Sequence, residues 1–290
     1  MTSFLRTRAP AKVNLTLHIL SVRPDAYHEL VSLVAFTGWG DVVSFAPSPS
    51  NKGVFTLSIE GPFRSFLRES PDNLILKAAF GFSAHFPQVS GGHFTLIKNI
   101  PVAAGVGGGS SDGAAALRLL SRVYGVSMTH PDVFKIARSL GADGPVCLRP
   151  RLQMVEGMGE RVTPVESQRA LHAVLINPRV PLSTASVFRA FDSADCSCSS
   201  RGKQLETKHD LMAAILEGKN SLEPVAQMLC PQVTEALELL RVCDGCILAR
   251  MSGSGPTVWG LFPNRQNVMK AVKFLKETCP GWWVRSCLLR

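Results

Sequence analysis

The sequence predicts an α+β protein of two domains, on three observations. Strand-like and helical segments follow one another irregularly, with hairpin-like sections, instead of alternating as in a doubly wound sheet. The pattern of elements restarts after residue 152, which divides the chain into residues 1–152 and 153–290. The 290 residues are 46% hydrophobic and 18% charged, enough for a large core and unlike a disordered chain.

Each element has its own signal. Val13, Leu15, Leu17 and Ile19 alternate with Asn14, Thr16 and His18, which reads as a half-buried strand over 13–19 whose polar face continues back to Lys12. "LVSLVAF" (30–36), "DVVSF" (41–45) and "GVFTLSIEG" (53–61) read as three more strands. Residues 73–86 predict a helix and "HFTLIKNI" (93–100) a strand. A glycine-rich stretch then leads into a helix reaching Val123. "THPDVFKIARSLGADGP" (129–145) predicts a further helix, starting at Thr129 or Asp132 and stopping at Gly141.

In the second half "HAVLINP" (172–178) is a strand, "STASVFRAF" (183–191) a helix, and the polar "DSADCSCSSRGK" (192–203) a mobile loop. Helices over 209–218, 221–229 and 231–241 precede "GCILARMSGSGPTVWGLF", two strands around a glycine turn. "NRQNVMKAVKFLKET" predicts the last helix and "WWVRSCLL" the last strand. No solenoid repeat is present.

Composition narrows the function classes. The N-terminal "MTSFLRTRAPAKVNLTLHIL" interrupts its apolar residues with Arg, Lys, Asn and His, and no segment offers the ~20 apolar residues of a membrane span, so the expectation is a cytoplasmic protein. Eight cysteines include Cys243-x-x-Cys246 and Cys196-x-Cys198, but no second C-x-x-C completes a zinc set. Reduced thiols, with Cys246 packed in a strand, are the expectation. The net charge of +9 admits an anionic partner, yet the basic residues are dispersed and not interleaved with aromatics, so no nucleic-acid platform is expected.

The chemistry concentrates in "PVAAGVGGGSSDGAAALRLL", with five glycines and two serines ahead of an Ala/Leu run. A P-loop needs G-x-x-x-x-G-K-[ST], and no Gly-Lys-[Ser/Thr] occurs; the dinucleotide G-x-G-x-x-G fails because its third position falls on Ser110. What remains suits either a solvent-facing loop or an anion cradle. In the second case the N–H groups of Gly107, Gly108 and Gly109 converge, and Ser110, Ser111 and Asp112 add hydroxyls and a capping oxygen at the helix start. A second glycine turn, "MSGSGPT", carries Ser252, Gly253, Ser254 and Gly255. Alone it reads as a tight hairpin; two Gly/Ser loops in one chain raise the case for a nucleoside triphosphate.

"PAKVNLTLHIL", "PVAAGVGGGSSDGAAAL" and "MSGSGPTVWGLF" resemble, in order and spacing, the three motifs of the GHMP small-molecule kinases. "RPDAYHEL", "GADGPV" and "EGMGERVTPV" resemble the branch of that family that phosphorylates 4-diphosphocytidyl-2-C-methyl-D-erythritol, in the MEP route to isoprenoids and terpenoids. The resemblance covers residues 9–262. It implies a ribosomal-protein-S5-like N-terminal domain and a ferredoxin-like C-terminal domain, with the active site between them. It also implies ATP with Mg²⁺ as cofactor, the ion's ligands unassigned, and CDP-methylerythritol as the small-molecule substrate.

By the same resemblance Asp143 is the base and Lys12 its partner. The loop Pro101, Val102, Ala103, Ala104, Gly105, Val106, Gly107, Gly108, Gly109, Ser110 and Ser111 wraps the ATP phosphates. Tyr27 and His28 bind cytosine with Phe188 as a second ring, and Asn14 and Thr184 complete the substrate pocket. Three residues depart from the family pattern: Ala26 before Tyr-His, Gly113 where Ala is common, and Gly144 where an apolar residue stands. Gly144 is expected to loosen the backbone of the base, and Gly113 to weaken the helix start. The rival readings are another GHMP kinase, of homoserine or mevalonate type, and a non-catalytic nucleotide- or RNA-binding protein on the same fold.

Overall fold

The structure, a computed structural model, describes residues 5–22, 27–48, 53–67, 70–167, 170–194 and 210–290. The polar stretch from 195, with Cys196 and Cys198, and the departure at Ala26 lie outside the described residues. In chain order the strands are β1 (Leu5–Asn14), β2 (His18–Val22), β3 (His28–Ser48), β4 (Phe55–Glu60), β5 (Gly91–Ile97), β6 (Gln153–Gly157), β7 (Arg161–Pro164), β8 (Leu171–Asn177), β9 (Leu248–Met251), β10 (Val258–Phe262) and β11 (Trp283–Leu289). The α-helices are α1 (Leu74–His85), α2 (Gly108–Tyr124), α3 (Pro131–Ser139), α4 (Asp143–Leu148), α5 (Thr184–Ser193), α6 (Leu211–Glu217), α7 (Glu223–Leu229), α8 (Pro231–Arg241) and α9 (Arg265–Thr278).

The chain forms two compact units. The first holds Met1–Lys12, Trp39–Val102 and Gly107–Pro150; the second holds Val13–Gly38, Ala103–Val106 and Arg151–Arg290. The changeover at 150/151 lies close to the expected division, but residues 13–38 and 103–106 join the second unit. The reason is strand pairing. Leu30–Val34 of β3 pair with β6, and Thr37 pairs with Leu289 of β11, a long-range register that local pattern does not contain.

In the first unit β5 lies between β3, antiparallel from Val42↔Ile97 to Ser48↔Gly91, and β4, parallel from Phe55↔Gly92 to Glu60↔Ile97. Phe45 and Phe94 stack with centroids 4.4 Å apart, and α1 and α2 pack on one another. Asn73 caps α1 by accepting from Ile75 N–H at 2.9 Å. A Cβ on Gly113 would stand 2.9 Å from Leu140 Cδ1 and 3.1 Å from Leu74 O. The glycine is therefore a close-packing residue between α2 and its neighbours.

In the second unit β8 is central, antiparallel to β11 on one side and β10 on the other, with β9 beyond β10. Leu237 and Leu240 of α8 and Val268 and Leu275 of α9 bury against Val174, Ile176, Val258 and Phe262.

Several expected elements differ. The strand over 13–19 is interrupted: β1 ends at Asn14, β2 starts at His18, and residues 12–17 are buried on both faces. Leu33 O receives both Leu15 and Thr16 N–H there, and Leu17 bridges to Asn220. The strands at 30–36 and 41–45 are one continuous β3. The helix expected to stop at Gly141 is α3, capped by His130 Nδ1 accepting from Asp132 N–H, and a short helix not expected, α4, begins at Asp143. β6 and β7 are additions to the expected set. Cys246 precedes β9 instead of lying within a strand, and packs partly buried on the second unit's core.

Candidate active site

In the first unit the buried Lys12, near the end of β1, points its Nζ at Asp143 Oδ1, 2.7 Å away. The two side chains are 9% and 37% exposed, so the ammonium is enclosed while the carboxylate stays within reach of a ligand. Asp143 is the first residue of α4. Two contacts fix that helix. A Cβ on Gly144 would fall 1.9 Å from Ala137 O, so Gly144 lets α4 seat on α3; the expected loosening of the base's backbone is replaced by tight packing. At the other end Arg118 of α2 donates to Cys147 O at 2.7 Å.

Gly107 is the N-cap of α2, with φ 60° and ψ 24°, a conformation glycine takes without penalty. Its carbonyl accepts Ser111 N–H at 2.9 Å, which leaves the N–H groups of the first turn without partners inside the helix. A Cβ here would stand 3.2 Å from Lys12 Cβ and 3.4 Å from Asp143 Oδ2. Glycine thus brings the N-terminus of α2 to the ion pair. The expected side-chain capping is not observed: the cap carries no side chain, and Asp112 Oδ2 accepts from Lys98. Ser111 Oγ is buried without a hydrogen-bond partner.

Asp112 instead meets Lys98, which sequence reasoning does not single out. Lys98 Nζ donates to Asp41 Oδ2 at 2.6 Å and Asp112 Oδ2 at 2.7 Å, all three side chains being almost wholly buried. Asp41 Oδ1 accepts the backbone N–H of Asn99 and Ile100. Burial alone would lower the Lys98 ammonium, but the two carboxylates outweigh it and hold it above its ordinary value. Burial, with Asp41 adding to it against the pull of Lys98, lifts the Asp112 carboxyl well above the usual carboxylate range. The available signal is Lys98 itself, a lysine shortly before a glycine loop; nothing local marks Asp41.

In the second unit the turn at 252–255 braces both Asn14 and residues 103–106. Ser252 Oγ accepts Asn14 N–H at 3.1 Å and donates to Gly105 O at 3.2 Å, and Thr257 Oγ1 donates to Ala104 O. A Cβ on Gly105 would stand 2.4 Å from Gly255 O, so the two glycine segments touch backbone to backbone. Asn220 Nδ2, also unmarked in the sequence, holds the turn by donating to Met251 O and Gly253 O. Arg250 donates to Leu15 O, Ile215 O and Gly218 O. Asn14 Nδ2 donates to Ser32 Oγ at 2.7 Å, and its Oδ1 is buried with no partner.

Thr184 opens α5 and shares a hydrogen bond of 2.8 Å with Ser254 Oγ. The His28 ring lies 4.7 Å from that of Phe188, and its Nε2 is 2.7 Å from Asp192 Oδ1. Tyr27 is 62% exposed. The structure therefore joins His28 to Phe188 and leaves Tyr27 largely exposed. Among the described residues no three His, Cys, Asp or Glu side chains gather as a metal site, and the described cysteines are free thiols. No helix among them is long and apolar enough to cross a membrane.

Residues 73–149 match the GHMP kinases N terminal domain and residues 201–281 the GHMP kinases C terminal domain. A protein of Methylorubrum extorquens named 4-diphosphocytidyl-2-C-methyl-D-erythritol kinase is 45% identical, covering 99% of both chains. One of the same name from Azorhizobium caulinodans is 42% identical, again over 99% of each. The chain belongs to the 4-diphosphocytidyl-2-C-methyl-D-erythritol kinase family of GHMP kinases. A crystal structure of a 4-(cytidine 5'-diphospho)-2C-methyl-D-erythritol kinase superposes with a TM-score of 0.80 at 32% identity, covering 98% of this chain and 99% of that one. The fold is accordingly the α+β GHMP kinase fold, and the protein is an ATP-using phosphotransferase that acts on a small molecule.

Proposed function

We propose that this GHMP kinase transfers the γ-phosphoryl group of ATP to the 2-hydroxyl of 4-diphosphocytidyl-2-C-methyl-D-erythritol, with Asp143 as base and Lys12 as its electrostatic partner. The observation that carries the assignment of roles is the 2.7 Å Lys12–Asp143 pair held against the N-terminus of α2. Phosphoryl transfer asks mainly for positioning and charge stabilisation. Asp143 accepts the hydroxyl proton as the oxygen attacks. Lys12 orients that carboxylate and faces the charge that develops on the transferred group. Residues 101–111 cradle the ATP phosphates through backbone N–H groups at the α2 N-terminus.

The substrate's cytosine rests on Tyr27, with His28 and Phe188 beside it, while Asn14 and Thr184 face the rest of the molecule. Residues 252–255 act as the brace of Asn14 and of 103–106. Mg²⁺, the usual ion of such kinases, would neutralise phosphate charge when bound. The N-terminal kinase domain runs to about residue 152 and the C-terminal one from 153 to 290, with residues 13–38 and 103–106 packed in the second unit. The enzyme acts in the cytoplasm, where ATP and nucleotide-linked intermediates are available and thiols stay reduced.

The test is ATP consumption with CDP-methylerythritol, wild type against Asp143→Ala. Turnover in the wild type that disappears in the variant, with ATP still bound, supports both substrate and base. A wild type that turns over homoserine or mevalonate but not CDP-methylerythritol overturns the substrate. A fully active variant overturns the base.

A further inference from the structure

The Lys98–Asp41–Asp112 cluster ties together the two ends of the glycine loop. Lys98, Asn99 and Ile100 enter the loop, and Asp112 lies in the first turns of α2, where the loop has ended. Asp41, on β3, bonds the entry twice through backbone N–H groups and also accepts from Lys98; Lys98 bonds the exit. A Cβ on Gly108 would stand 3.2 Å from Lys98 Nζ, so the ammonium lies directly under the first residue of α2.

The charges in this cluster do not balance as drawn. Two carboxylates and one ammonium leave one buried negative charge beneath a loop read here as binding ATP phosphates. An unpaired buried charge is costly, and a proton removes it. The hydrogen bonds say which carboxyl carries that proton. Both oxygens of Asp41 already accept, one from Lys98 and the other from two backbone N–H groups, so a proton placed on Asp41 would displace a protein donor. Asp112 accepts only from Lys98, through Oδ2. Its Oδ1 is buried with no donor on it, and the two carboxylates share the one Lys98 ammonium. An unpaired buried oxygen beside a second carboxylate leaves a position that a proton fills.

We propose that Lys98, Asp41 and a protonated Asp112 form a neutral staple that positions the phosphate loop. This rests on the reading of residues 101–111 as that loop. None of the three is a catalytic residue; they act through the loop they hold. The asymmetry gives a direct test. Asparagine at 112 mimics the protonated acid, its carbonyl accepting from Lys98 and its amide donating to Asp41. Asparagine at 41 supplies one acceptor oxygen where two are in use.

The experiment compares full-length Lys98→Met, Asp41→Asn and Asp112→Asn for kcat, the KM for ATP and the KM for CDP-methylerythritol, with the infrared spectrum of each folded protein. Asp112→Asn stays within about threefold of wild type in kcat/KM for ATP, while Asp41→Asn and Lys98→Met lose about tenfold or more, concentrated in the KM for ATP. The wild type shows the carbonyl band of a buried protonated carboxyl, and Asp112→Asn lacks it. Asp112→Asn as damaging as Asp41→Asn, or a band that persists in it, overturns the protonated acid. Equal losses toward both substrates in Lys98→Met overturn the positioning role. A wild type without kinase activity refutes the functional reading instead, and the infrared band still decides the proton.

Discussion

Two lysine–aspartate clusters stand in the first unit, with nearly the same contact distances and opposite surroundings. Lys12 meets one carboxylate, 37% exposed, at 2.7 Å. Lys98 meets two, both buried, at 2.6 and 2.7 Å. The difference lies in what each carboxylate has left to offer. Asp143 has an oxygen facing Gly107 and open space, so it can take a proton from an incoming hydroxyl. Asp41 has both oxygens occupied by protein donors and can only hold what surrounds it. An ion pair of a given length is thus chemical or structural according to its unspent acceptors and its access, and the 2.7 Å contact alone does not distinguish them.

Substitution at the two aspartates should separate these roles most widely. Asp143→Ala is expected to lower kcat by about 10²–10⁴-fold, as loss of a general base does, while urea denaturation shows little change. Asp41→Ala is expected to cost about 3–5 kcal/mol of stability, because it strips a buried ammonium and two backbone donors of their acceptor. Equal destabilisation by both variants would remove the contrast. The intermediate case is Gly107→Ala, where a side chain is forced into positive φ at a cost of about 1–3 kcal/mol. Its Cβ also crowds Lys12 and Asp143. Steady-state kinetics should show kcat falling more than the melting temperature predicts, and an unchanged kcat would mean that the loop tolerates displacement from the ion pair.

The pair proposed as catalytic lies in motifs that are legible in the sequence and the staple does not, for a physical reason. Lys12, Asp143 and the glycine loop sit in short contiguous motifs, and their roles follow from resemblance to a family whose motifs are local. The staple joins residues 41, 98 and 112, brought together only when β3, β5 and α2 pack. For the same reason the strands are recognisable but the division of the chain is not: β3 is one strand whose two halves find partners far apart in sequence. Gly144 reads locally as slack, yet the carbonyl of Ala137 makes it a close-packing position. Composition predicts a helix or a strand; it does not say which residue a side chain will meet across the core.

The smallest expected effect sharpens the contrast from the other side, with a half-buried base whose burial and cationic neighbours oppose its protonation. His18 Nε2 is buried without a hydrogen-bond partner. Burial first, then the positive charges of Lys219 and Arg250, lowers its pKa from the ordinary 6.5. The sign follows from linkage. Below 6.5 the unfolded chain takes up a proton that the folded protein refuses, so the contribution of His18 is complete above the unfolded pKa and is lost as pH falls through the lowered one. The slope is bounded by about 1.4 kcal/mol per pH unit. Urea titrations between neutral and mildly acid pH should show that slope in the wild type and a smaller one in His18→Gln. An identical slope in both would mean that His18 is protonated as readily in the fold as outside it, and that burial among cations does not by itself keep a base neutral here.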